Sequence, residues 1–193
     1  VSPSAFEDAL RVEPRSRAEW RRWLAAHHDT STGVWLLITK KGSGATGLSY
    51  NEAVEEALCF GWVDSRVRRL DEWHFRQWYC PRRSGSIWSA PNKARLARLI
   101  EAGLMAPAGL AKIEAARADG SWEILDKVEA LEIPDDLAAA LAADPGAAAA
   151  FAAMAPSDQK QYLYWVLSAK RPDTRAKRIS ALLAAAMGRP ADP

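Results

Sequence analysis

The chain reads as an α+β protein, a small antiparallel sheet packed with helices and followed by an alanine-rich C-terminal helical region. Three observations predict this. Runs rich in β-branched and aromatic residues, bounded by turn residues, occur at Val34–Lys41, Val63–Leu70 and Trp73–Cys80. Segments of helical periodicity that open on Ser-x-x-Glu capping boxes lie before and between them. From Ser121 the composition turns acidic and then alanine-rich, with no further strand-like run. The expected organisation is an α+β domain over 1–120 and, over 121–193, an acidic linker with a C-terminal helical region.

The first helix is expected over Arg17–His27, where Ser16 and Glu19 form the capping box and Trp20, Trp23, Leu24 and His27 share one face. Gly33 closes the following turn, and the strand Val34–Lys41 leads into a glycine-rich connection, Gly42–Gly47. That connection lacks a following Gly-Lys-Ser/Thr, so it does not read as a phosphate loop. Ser49 and Glu52 start a second helix that runs to about Phe60 and stops at Gly61. The strands Val63–Leu70 and Trp73–Cys80 turn around Asp71-Glu72. If Leu70 opposes Trp73, Arg66 and Arg68 share a face with Phe75, Gln77 and Tyr79. Neither face is cleanly apolar, so the pattern alone leaves the register open. Ser89 can cap a helix over Ala90–Ala102 with Leu96, Leu99 and Ile100 inward, and a further helix is expected over Pro107–Ala118. Beyond the acidic segment, Pro134, Pro145, Pro156 and Pro172 punctuate the helical region. Tyr162, Trp165, Val166 and Ala169 are expected to form the apolar stripe of the helix near Ser157–Lys170.

Composition excludes several classes. No run approaches the ~20 apolar residues of a membrane-spanning helix. Val1–Phe6 lacks the basic head and apolar run of a signal peptide. Two cysteines in 193 residues do not make a disulfide scaffold, and the expected location is cytoplasmic. The net charge of +2 conceals blocks of charge. Nine Lys/Arg face three Asp/Glu over Trp62–Arg98, one Lys faces eight acids over Gly120–Asp158, and six basic residues face one acid over Lys160–Ser180. Lys170, Arg171, Arg175, Lys177 and Arg178 can therefore dock on the acidic segment Glu123–Asp136.

Ala57-Leu58-Cys59-Phe60-Gly61-Trp62-Val63-Asp64-Ser65 resembles the signature of the YdeI/OmpD-associated, bacteriocin-protection family. Pro81-Arg82, Ser86–Asn92, Met105–Gly109 and Ala169–Arg175 resemble its later landmarks, so the likeness runs in order along most of the chain. One departure is Trp78-Tyr79-Cys80, where the family often carries Arg-Phe-Thr. The resemblance implies a fold and a site location, and brings no catalytic residue set with it.

The candidate chemistry lies in the block from Ala57 to Asn92. Cys59 sits in the last turn of a helix with Glu55 one turn behind, which disfavours a thiolate and favours a packing role. A Cys80–His74 dyad fails on distance, since six residues of strand span ~20 Å. No metal-ligand spacing is present and no cofactor is implied. Glu55 and Glu56 can simply face water. The strongest constellation is Trp62, Asp64, Arg66, Arg82, Trp88, Ser89 and Asn92. Arginine forks bind carboxylate or phosphate, indoles stack on flat groups, and a helix N-terminus favours an anion. The alternative is that the indoles fill the core and Asp64 pairs internally. The expected function is binding of an anionic or amphipathic small ligand or peptide, without an assignable catalytic set. The competing expectation is association with nucleic acid through the basic strands or the C-terminal basic helices.

Overall fold

The computed structural model describes residues 10–44 and 46–188, so the expectation placed on Val1–Phe6 lies outside the described residues. The elements are β1 (Arg11–Val12), α1 (Arg17–His27), β2 (Val34–Thr39), α2 (Tyr50–Cys59), β3 (Trp62–Arg69) and β4 (His74–Pro81). The helices α3 (Ala90–Glu101), α4 (Pro107–Ala118), α5 (Ile124–Glu129), α6 (Asp135–Ala143), α7 (Pro145–Ala153), α8 (Pro156–Leu167) and α9 (Pro172–Ala186) follow. They form two compact units, one of residues 1–86 with 91–118, the other of 87–90 with 119–193.

In the first unit four strands form one sheet in the order β1-β2-β4-β3. The β2–β4 and β4–β3 pairs are antiparallel as expected, but β1 runs parallel to β2, so the sheet is mixed. A two-residue strand carries too little pattern to be recognised in sequence. At the Trp62 end, Trp62 opposes Pro81 and Asp64 opposes Tyr79, the register expected from a Leu70–Trp73 pairing. A bulge between Asp64 and Val67 then shifts it by one residue, placing Val67 opposite Gln77 and Arg68 opposite Arg76. A one-residue slip exchanges the faces. Arg68 therefore lies away from Gln77, with its guanidinium 5.3 Å from the Trp35 ring.

The face carrying Val34, Leu36, Ile38, Gln77 and Tyr79 is covered by α1 and α2. Trp20 on α1 is fully buried, donates from Nε1 to Ala53 O at 3.1 Å and meets Tyr79 edge-on at 5.8 Å. Burying an apolar side chain of this size contributes roughly 2 kcal/mol or more. Both helices start as the sequence predicts. Ser16 Oγ accepts from Glu19 N, and Ser49 and Glu52 form a complete capping box. α2 ends where Gly61 adopts φ +73°, and α4 packs there against the end of α2. A Cβ on Gly109 of α4 would come within 2.2 Å of Cys59 O, and Ala106 N donates to that same carbonyl at 3.0 Å. Two of the sequence landmarks, Cys59–Gly61 and Ala106–Gly109, are thus the two sides of one close approach. On α3, Leu96 and Leu99 are buried, but Ile100 is 46% exposed because it follows the buried stripe by one position.

In the second unit, Val128, Leu137, Leu141, Phe151, Leu163, Val166, Ile179 and Leu182 form one core. Asp144 caps α7 by accepting from Ala147 N, and Pro occupies the first turn of α7, α8 and α9. The inward residues of α8 are Leu163 and Val166 with Tyr162 packed against the same core, whereas Trp165 is 37% exposed, correcting its place in the expected stripe. The charge blocks meet inside this unit. Arg175 Nη2 donates to Asp136 Oδ1 at 2.8 Å, with Nε on the other carboxylate oxygen, and Lys160 reaches Glu129 at 2.7 Å. Trp88, from the 87–90 segment, packs its ring 5.2 Å from that of Trp122.

Candidate functional site

Buried polar atoms in the first unit gather around Asp64. The bulge that follows Asp64 ends the regular β3 ladder there, and its carboxylate lies on the helix-covered face opposite Tyr79. Asp64 Oδ2 accepts from Gln77 Nε2 at 2.6 Å and from the Tyr50 hydroxyl, at the start of α2, at 3.1 Å. Gln77 is 3% exposed and Tyr79 fully buried, yet Gln77 Oε1 and the Tyr79 hydroxyl have no hydrogen-bond partner among the described residues. Such atoms are uncommon in folded proteins, because a buried unmade hydrogen bond costs about 1–3 kcal/mol. Burial, then the charge of Asp64, pushes the Tyr79 phenol far above its ordinary range, so it stays a neutral O–H.

Cations border the same cluster. Arg82 is 3% exposed, its backbone N–H held by Gly61 O at 2.9 Å. Burial pushes its guanidinium down to about 10, against the attraction of Asp64, so it remains charged at neutral pH. On α3, Arg95 donates to Asn92 Oδ1 at 3.2 Å and to Asn51 Oδ1 at 3.1 Å, two neutral amides, and its charge is felt at both Tyr50 and Tyr79. Tyr50 is also one wall of a groove of about 570 Å³, which Lys40, Lys41, Gly42, Ser49, Asn51 and Phe75 help to line. The outer wall of the polar cluster is therefore the inner wall of an open groove.

The residues expected from sequence fall as follows. Trp62 is 1% exposed, donates from Nε1 to His28 O at 3.1 Å, and meets Trp20 and Trp23 edge-on at 6.4 and 5.8 Å. It is a core ring. Asp64 and Arg82 belong to the cluster itself, Asn92 joins through Arg95, and Arg66 is exposed at the bulge. Trp88 and Ser89 belong to the second unit, where Trp88 is 1% exposed. Sequence reasoning missed Tyr50, Gln77, Tyr79 and Arg95. A glutamine between Phe75 and Tyr79 on a core-facing strand was the one available signal.

Other candidates resolve into structural roles. Glu56 does not face water. It is 2% exposed and takes Arg17 Nε at 2.6 Å and Arg21 Nη1 at 2.7 Å, while Glu55 takes Arg17 Nη1 at 2.9 Å. Burial, and then the Glu56 charge, pushes the Cys59 thiol up, and burial does the same to Cys80, so neither is a thiolate at neutral pH. His74 Nδ1 lies 3.2 Å from Asp71 Oδ1 in the β3–β4 turn. Among the described residues no cluster of His, Cys, Asp and Glu can hold a metal ion, and no helix is long and apolar enough to cross a membrane. The basic end of the second unit is partly engaged internally. Besides Arg175 on Asp136, Arg178 bonds Ser168 Oγ at 3.1 Å and sits over the Trp165 ring.

Comparison with known proteins divides along the same line as the chain. Residues 12–112 match the family described as Domain of unknown function (DUF8412). Residues 130–187 match the family described as Bacteriocin-protection, YdeI or OmpD-Associated. The motifs Ala57–Ser65, Ser86–Asn92 and Met105–Gly109 fall within the first match, and Ala169–Arg175 within the second. No curated protein and no solved structure matches the chain.

Proposed function

We propose that this chain, which belongs to the family described as Domain of unknown function (DUF8412), is a binding protein for an anionic or amphipathic small ligand or peptide. The site is the Asp64–Gln77–Tyr79–Arg82 cluster, reached beside Tyr50. One observation carries the proposal, the pair of deeply buried polar atoms, Gln77 Oε1 and the Tyr79 hydroxyl, without partners among the described residues. A ligand that supplied both bonds would recover a desolvation cost already present in the fold. The charge of Arg95 is felt at Tyr50 and Tyr79, which favours an anion there. Catalysis is not part of the proposal, since both thiols are protonated at neutral pH and no catalytic set is assignable among the described residues.

The second unit's match gives the proposal a setting, protection against bacteriocins, and two free cysteines fit the reducing cytoplasm. The test is a panel of anions, nucleotides, sugars and peptides, read by tryptophan emission and melting temperature. Trp20 meets the Tyr79 ring and itself packs on Trp23 and Trp62, so occupancy should alter their emission. A panel in which no member shifts either signal overturns the binding role.

A further inference from the structure

We propose that the open groove beside Tyr50 is a binding site of its own, and that it takes a phosphomonoester carried on a flat ring, the chemistry of an aryl phosphate or a mononucleotide. The inference goes beyond the role of the buried cluster, since it uses neither Gln77 nor Tyr79. The groove, about 570 Å³, lies within the first unit. Its walls come from the end of β2, the glycine-rich connection, the start of α2 and Phe75 on β4. That volume is ordinary for a small-molecule site.

Hydrogen bonds fix these walls. Thr39 N donates to Leu48 O at 2.9 Å and Thr39 bridges to Ser49, so the connection returns to the strand it left. Gly47 permits that return, because a Cβ there would lie 2.3 Å from Thr39 Oγ1. Lys40 N donates to Trp73 O at 2.7 Å, and Lys40 O accepts from Ser43 Oγ at 2.8 Å. The Tyr50 hydroxyl is held by Asp64 Oδ2 at 3.1 Å, which anchors the far end of its ring.

The polar groups of the groove are donors. Asn51 Oδ1 accepts from Arg95, and a guanidinium only donates, so Nδ2 is left as the donor of that amide. The Lys40 ammonium bonds Asp71 O, a neutral carbonyl, and Lys41 has no ion pair or hydrogen bond among the described residues. The neighbouring acids are turned elsewhere. Glu52 takes Ser49 N and Oγ at 3.0 and 2.6 Å, and Asp71 takes Trp73 N and His74 N at 2.8 and 2.6 Å. Two ammonium charges therefore line the groove without a carboxylate among its described walls. Lysines bind phosphate as point charges, and a phosphomonoester carries roughly −1.5 to −2 at neutral pH where a carboxylate carries one charge. Phe75, half-buried, and Tyr50, 39% exposed, supply ring surface for the rest of the ligand. The contacts are side-chain contacts, so the missing Gly-Lys-Ser/Thr of a phosphate loop does not bear on them.

The experiment is calorimetric titration of the full chain with phenyl phosphate, adenosine monophosphate, benzoate, inorganic phosphate and phenol. At least one of the two esters should bind, and the three partial probes should each bind about tenfold more weakly or worse. Binding of the nucleotide alone assigns the class to nucleotides, and binding of phenyl phosphate alone assigns it to simple aryl phosphates. Lys41→Gln should weaken the bound ester about fivefold to tenfold and leave the melting temperature unchanged, since the side chain is exposed. Unchanged affinity in Lys41→Gln overturns the inference, as does inorganic phosphate binding as tightly as the ester. Loss of ester binding in Tyr79→Phe with Lys41→Gln unaffected moves the ligand to the buried cluster, which overturns this inference and leaves the binding role standing. Binding of another anion when neither ester binds has the same meaning. Failure of every anion removes both.

Discussion

Tyr79 separates a binding group from a structural one by the sign of its effect on stability. Its ring fills the core beside Trp20, and its hydroxyl is buried without a partner among the described residues. Tyr79→Phe keeps the ring and removes the penalty, so the unliganded protein should gain about 1 kcal/mol in chemical denaturation. A loss of stability would mean that the hydroxyl has a structural partner, and would remove it from the site. Glu56 predicts the opposite. Its carboxylate is 2% exposed between Arg17 and Arg21, so Glu56→Ala leaves two guanidiniums facing a cavity. With both arginines more than a third exposed and able to turn to solvent, the cost should be about 2 kcal/mol, below that of a fully buried pair. Sequence showed the charges of Arg17, Arg21 and Glu56 but not their meeting, because the partners lie 35 to 39 residues apart. The demotion of Cys59 was legible, since its position in the last turn of a helix is a local property.

Elements show where local rules suffice. The Ser16 N-cap, the capping box at Ser49 and the proline starts of α7, α8 and α9 are short-range chemistry that the structure shows, although at the first helix the Glu19 carboxylate takes Arg15 N and does not close the expected box. The β3–β4 register is not short-range. Its bulge follows Asp64, and one inserted residue moved Arg68 from the expected face to the far side, beside Trp35. Packing of α4 on the end of α2 gives an element-scale prediction. Gly109→Ala would drive a methyl into the Cys59 carbonyl, so the helices must separate, at about 1–3 kcal/mol. An unchanged melting temperature would show that this approach is not tight. The α6–α9 pairing carries a pH signature. Hydrogen bonds from Arg175 hold the Asp136 carboxyl below its usual range. A depressed carboxyl stabilises above its unfolded value, about 3.9, and loses that contribution as pH falls through the folded value. Arg175→Ala should therefore lower stability at pH 7 by up to ~1 kcal/mol, a partly exposed pair, and the difference should fade below about pH 4. A difference that persists into acid would assign the loss to packing of the arginine stem instead.

At the scale of the whole molecule, the sequence order and the packing order differ over four residues. Ile87–Ala90 lies between β4 and α3 in the chain, yet it groups with residues 119–193, where Trp88 meets Trp122. A composition shift near Ser121 marks where alanine-rich helices begin, but composition cannot show that an earlier tryptophan belongs with them. The consequence for truncation follows from burial. Trp88 is 1% exposed in the intact chain. A fragment ending at Gly120 keeps Trp88 and loses Trp122, so a large indole is left without the partner ring and exposed to water. Roughly 2 kcal/mol or more of burial is forfeited at that residue. The fragment should fold with red-shifted tryptophan emission and associate at high concentration, and Trp88→Ser should suppress that association without changing the sheet. A monodisperse fragment with the emission maximum of the full chain would show that Trp88 does not need residues 121–193 for its burial, and that the four-residue exchange carries no stability.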